Sequence, residues 1–113
     1  MNTDNKEILK RANEAVSTGD YEKFLSFCAD DSIWTFVGDQ ILKGKDAIRK
    51  YLIGAYLEPP RFEVEDMVSE RDLLTVIGKI SLKQEDSSWS DFQYCDVWRF
   101  KNGKMIELKA FVI

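Results

Sequence analysis

Phe92-Gln93-Tyr94-Cys95-Asp96-Val97-Trp98-Arg99-Phe100-Lys101-Asn102-Gly103-Lys104-Met105-Ile106 decides the fold. Every second residue from Phe92 to Phe100 is aromatic except Asp96, and on a β-strand these side chains share one face. The opposite face carries Gln93, Cys95, Val97 and Arg99, an ordinary mixed surface. Asn102-Gly103 is a strong two-residue hairpin signal, so the strand turns back on itself into residues 104–113. Asp96 is the anomaly in the row. An ionised carboxylate in apolar surroundings finds donors or takes up a proton. Asp96 therefore marks either a satisfied polar contact in the core or a pocket that uses the carboxyl.

Working back from this hairpin, residues 61–69 and 72–83 also alternate apolar and polar, with joints at Glu70-Arg71 and Glu85-Asp86-Ser87-Ser88. Leu74, Val76, Gly78, Ile80 and Leu82 share one face of their strand, and Ile106, Leu108, Ala110 and Val112 one face of the last. The first half is different. Asp4 is placed to cap a helix, with Glu7 in the capping-box position, and Ile8, Leu9, Ala12, Ala15 and Val16 form its apolar stripe. Gly19 ends it. Asp20 opens a shorter helix containing Phe24, Leu25, Phe27 and Cys28, which Ala29-Asp30-Asp31 is expected to break. Residues 32–37 and 40–43 read as a short hairpin around Gly38-Asp39. Gly44-Lys45-Asp46 starts a third helix with Ala47, Ile48, Tyr51, Leu52, Ala55 and Tyr56 on its stripe, stopped by Pro59-Pro60. Helices followed by an antiparallel meander define an α+β chain, with residues 1–113 as a single domain.

Composition narrows the function. The net charge of −4 argues against nucleic acid as a partner, since phosphate binding needs a basic stripe. No apolar run approaches a membrane span, and no signal-peptide core opens the chain, so no membrane association and a cytoplasmic location are expected. There is no histidine, which excludes imidazole acid–base chemistry and leaves Cys28 and Cys95 without the partner a catalytic thiol wants. They read as free thiols. No metal site and no cofactor are expected; Asp30-Asp31 is the acidic pair of note and reads as a turn.

The order and spacing of several short pieces resemble the nuclear transport factor 2-like superfamily (NTF2-like, also called cystatin-like), and within it the SnoaL-like and ketosteroid-isomerase-like proteins. The pieces are Gly19-Asp20-Tyr21, Phe27-Cys28-Ala29-Asp30-Asp31, Ile33-Trp34-Thr35-Phe36, Leu42-Lys43-Gly44-Lys45-Asp46-Ala47-Ile48, and Asp96-Val97-Trp98-Arg99-Phe100-Lys101-Asn102-Gly103. The resemblance implies three N-terminal helices packed on a curved, mostly antiparallel sheet, forming a cone with a deep pocket, and often a homodimer joined through the sheet. It does not imply one activity, because the fold hosts isomerases, cyclases, hydrolases, dehydratases and binders.

Within such a cone, Trp34, Phe36, Tyr51, Tyr56, Tyr94, Trp98 and Leu108 are the expected ligand-binding wall and Asp96 the candidate catalytic group. The expected ligand is a small apolar or polycyclic molecule. Ketosteroid isomerases pair a first-strand carboxylate base with a helix Tyr and a protonated late-strand Asp. Here the Asp position matches Asp96, whereas the base falls at Thr35 or Phe36 and the Tyr at Ala12. SnoaL-type cyclases are expected to use a His–Asp pair, for which this chain lacks the His. An isomerase or cyclase with Asp96 as acid or oxyanion donor, and a non-catalytic ligand-binding or protein-interaction domain, are thus both open. Asp66 shares strand parity with Phe62, Val64 and Val68, so it either joins Asp96 as a carboxyl pair or is solvated. The outer sheet face, with Thr75, Ile77, Gln93, Cys95, Val97 and Phe111, is apolar enough to expect a second copy against it.

Overall fold

In the computed structural model, which describes residues 4–56 and 58–113, the expected helices form where their caps begin. Helix α1 (Asn5–Ser17) is capped by the Asp4 side chain, which accepts from the Lys6 amide at 2.9 Å. Its C-terminus closes in a Schellman turn. Gly19, at φ 82°, donates to the Val16 carbonyl, and Asp20 donates to that of Ala15. The next residue range is already capped, because the Asp20 carboxylate accepts from Lys23 N at the start of α2 (Tyr21–Leu25). Helix α3 (Lys45–Ala55) follows Gly44. It stops at Ala55, ahead of Pro59-Pro60, so Tyr56 caps the helix rather than extending its stripe, and Ala55 is exposed. No described helix is long and apolar enough to cross a membrane.

The strands are β1 (Cys28–Phe36), β2 (Gln40–Lys43), β3 (Arg61–Glu70), β4 (Leu73–Lys83), β5 (Trp89–Lys101) and β6 (Lys104–Val112). They form one sheet in the order β2-β1-β6-β5-β4-β3. Residues 61–112 make the expected antiparallel run, turned at Asn102-Gly103 with both residues at positive φ (52° and 77°), as that turn requires. The β1–β2 hairpin joins the free side of β6, where β1 runs parallel to β6. The helices cover one face. Leu9, Ala12, Val16, Phe24, Ile48 and Leu52 pack with Leu74, Val76, Trp98 and Leu108 into one core.

Three sequence expectations are corrected. Strand β1 begins at Cys28, so Ala29-Asp30-Asp31 is strand and not a break, and its pairing with β6 slips between Cys28 and Ile33. On β6, Ile106 does not face inward. The register shifts between Arg99 and Phe100, which places Met105, 1% exposed, opposite Phe100 on the inner face. On β3, the ladder steps from Val64↔Gly78 to Asp66↔Ile77, leaving Glu65 as an extra residue. Beyond this bulge the parity flips. Asp66 points out with Ile77, whereas Met67 and Ser69 take up inner positions.

Candidate functional site

The cavity follows from the residues that face each other across the sheet. Asp96 is flanked by Val76 on β4 and Ala110 on β6, and Phe36 of β1 lies beyond Ala110. One step along, Trp98 sits between Leu74 and Leu108, with Trp34 beyond Leu108. One step the other way, Tyr94 sits between Gly78 and Val112. Large rings thus alternate with Ala110, Val76 and Gly78, and the missing volume beside Asp96 becomes a hollow. Gly78 has its own reason to be glycine. A β-carbon there would lie 2.2 Å from the Glu63 carbonyl oxygen, because β3 crosses closely just before its bulge.

This hollow is a cavity of about 210 Å³. Trp34, Phe36, Tyr51, Tyr56, Tyr94, Asp96, Trp98 and Leu108 all line it. The rings form a connected wall: Trp34 meets Trp98 edge-on at 5.8 Å between centroids and Phe36 at 6.2 Å, and Phe36 meets Tyr51 at 4.8 Å. Such edge and tilted contacts are favourable for aromatic pairs. The helices close the space with Asn13 and Val16 from α1, Phe24 from α2 and Leu52 from α3.

Asp96 forms no hydrogen bond or ion pair among the described residues. It lines the cavity and is half-buried. Desolvation pushes its carboxyl up from 3.8 to about 7. Tyr94 Oη and Trp98 Nε1 are buried without a partner among the described residues. Burial first, and then the nearby Asp96 charge, pushes the Tyr94 phenol up to about 12, so it stays protonated. Tyr56 and Tyr51 are likewise raised, chiefly by burial.

The cations that could have neutralised Asp96 are engaged elsewhere. Arg49 is tied to Glu22 and Asp46 on the surface, Arg99 to Asp72 and Glu107 on the outer face, and Arg61 lies over the Trp89 ring at 3.8 Å. Asp66 is exposed and does not line the cavity, so it forms no carboxyl pair with Asp96. Cys28 is buried with its thiol pushed up to about 12 by desolvation, which makes it a poor nucleophile. No three His, Cys, Asp or Glu side chains converge as a metal set among the described residues.

Several lining residues were not singled out from the sequence, notably Asn13, Asp39 and Phe62. Phe62 has the right alternation. Asn13 lies beside the apolar stripe of α1, where helical periodicity assigns it to the edge. Asp39 sits in the exposed β1–β2 turn, which reads as a solvent loop unless the hairpin's position over the cavity mouth is known.

A cone of this topology with an aromatic cavity is the architecture of NTF2-like proteins. The model of the SnoaL-like domain matches residues 9–108, and the chain belongs to that family. No curated protein matches the sequence. Among solved structures, a protein from Shewanella putrefaciens named for a SnoaL-like polyketide cyclase superposes with a TM-score of 0.87 at 16% identity, over 99% of this chain and 91% of that one. An NTF2-like protein of unknown function from Burkholderia pseudomallei gives 0.85 at 17% identity, over 96% and 90%. TerC, co-crystallised with polyporic acid, gives 0.81 at 16% identity, over 94% and 88%. At such identities these likenesses establish the fold.

Proposed function

We propose that this protein binds a small, mostly apolar ring compound in the aromatic cavity and holds an acceptor oxygen of it at Asp96. The observation that carries this reading is an unpaired carboxyl on an aromatic cavity: Asp96 lines it and has no hydrogen-bond partner among the described residues. An unmade hydrogen bond of a buried group costs free energy, so a ligand oxygen that accepts from a protonated Asp96 gains what the empty site lacks. The volume of about 210 Å³ is below the roughly 300–1,000 Å³ of sites for drug-sized molecules, which favours a compact ligand. The organic molecule seen with TerC supports a small-molecule occupant for this fold.

Donation to a carbonyl oxygen is also the acid half of isomerase or cyclase chemistry, because it stabilises the enolate formed when a neighbouring carbon loses a proton. The base half is not at its familiar position: Thr35 and Phe36 cannot take a proton, and Ala12 replaces the helix Tyr. This favours binding without turnover as the second reading. Aromatic ketones, screened by ligand-observed NMR, test the proposal. Binders should lose about tenfold in affinity, the scale of one hydrogen bond, in Asp96→Leu. Their affinity should fall as pH rises through about 7, where Asp96 loses its proton. Binding indifferent to the substitution and to pH would refute the site.

For assembly, we propose a homodimer through the outer sheet face. Ile77, Cys95 and Phe111 align across β4, β5 and β6, and Ile77 and Phe111 are 44% and 40% exposed in the single chain. An apolar row of this kind on a sheet face is a poor water-facing surface.

A further inference from the structure

The charges lining the cavity have one sign. Among the described lining residues, the ionisable carboxyls are Asp39 and Asp96, and none is Lys or Arg. Of the basic groups on the neighbouring elements, Lys45 pairs with Asp30, Arg49 with Glu22 and Asp46, and Lys83 with Glu58, all outside the cavity. Asp39 is exposed and lines the cavity, so it stands at the mouth, and its charge reaches Tyr51. The Tyr51 and Phe36 rings, 4.8 Å apart, form the adjoining wall. An anion entering here meets carboxyl groups and the negative faces of aromatic rings. A cation meets both attractively.

We propose that the cavity takes a bipolar ligand, with an acceptor oxygen at the Asp96 floor and a protonated amine at the mouth between Asp39 and the rings of Phe36 and Tyr51. It rejects anions of the same shape. This specificity rests on the reading that the cavity binds a small ring compound, and it names the charge of that compound. Each end of the ligand meets a different need. At the floor a protonated Asp96 carboxyl donates to an acceptor oxygen, whereas an ammonium carried to that depth would lose its water, so the amine does not belong at the floor. The mouth offers a carboxylate in partial contact with water, where an ammonium pairs without full desolvation. The Asn13 amide also lines the cavity from α1, and its oxygen is a further acceptor for an N–H group.

Three probes on one frame test the charge selection. An acetylnaphthalene carries an aminomethyl, a hydroxymethyl or a carboxylate group on the distal ring, and affinity is measured by calorimetry near neutral pH. The amine should bind at least about tenfold more tightly than the carboxylate, with the alcohol between them. The ratio of amine to alcohol affinity should fall toward one in Asp39→Asn, a ratio that loss of folded protein cannot imitate. A carboxylate that binds as tightly as the amine, or an amine advantage that survives Asp39→Asn, overturns the charge assignment and leaves the cavity reading standing. Failure of all three probes to bind overturns the cavity reading and the charge assignment together.

Discussion

Replacing Asp96 with Asn should remove a pH-dependent weakness from the fold. The carboxyl titrates near its ordinary 3.8 when unfolded and near about 7 when folded, raised by desolvation. Below about pH 4 it is protonated in both states and costs nothing. Between about pH 4 and about pH 7 the unfolded chain gives up this proton and the folded chain keeps it, so stability falls as pH rises, and the loss levels off above about pH 8. At about 1.4 kcal/mol per unit, the full difference is on the order of 4 kcal/mol. Water in the cavity would solvate part of the carboxylate, so a fall of about 2 kcal/mol is the working expectation. The window is unusually clean because the chain has no histidine. Glu22 and Asp86, held below the ordinary range by hydrogen bonds to Arg49 and Ser88, act at lower pH, and Cys28 and Tyr94 act at higher pH. Urea unfolding followed by circular dichroism at steps from about pH 4 to about pH 8 reads the slope directly. Wild type should lose stability across that range, and Asp96→Asn should not, so the variant is the more stable protein at the upper end. A wild-type curve that is flat or rising, or a variant weaker by about 2 kcal/mol at neutral pH, would show that Asp96 is an ionised structural anion with donors of its own.

Gly78→Ala should lower the urea midpoint by about 1–3 kcal/mol of stability or more, since the new methyl meets the Glu63 carbonyl backbone and not a movable side chain; an unchanged midpoint would mean that β3 can shift away. Ile77→Glu should give a monomer by light scattering, at concentrations where wild type is a dimer, by placing a charge in the Ile77, Cys95 and Phe111 row; a wild-type monomer at micromolar concentration would remove the dimer proposal. In the monomeric Ile77→Glu variant, Cys95, half-buried on the outer face, should react with a maleimide faster than the buried Cys28, by mass spectrometry of the folded protein, with equal rates counting against the packing of β1 on α2.

The fold was legible wherever one local rule acted alone. Asp4 and Asp20 announced helix starts, Gly19 a helix end, and Asn102-Gly103 a hairpin, because each depends on a few neighbouring backbone groups. The aromatic row of β5 was equally direct, since the faces of one unbroken strand are fixed by alternation. What the sequence concealed was pairing between distant segments. Nothing local to β1 says that it adds in parallel to β6, and nothing local to β3 says that Glu65 is an extra residue.

That second point decides the chemistry of the cavity. Alternation carried from Phe62 places Val64, Asp66 and Val68 on the inner face, which would put another acid beside Asp96. The bulge reverses the parity after Val64, and Asp66 leaves. A single inserted residue moves every later side chain to the opposite face. The same rule acts on β6, where the register shift brings Met105 inward in place of Ile106. There the exchange is between two apolar side chains and leaves the core's character unchanged. On β3 it trades a carboxylate for Met67, so the acid that accompanies Asp96 comes from another element, the β1–β2 turn at Asp39. Asp96 is desolvated and Asp39 is exposed, so the two carboxyls that line one cavity meet water very differently.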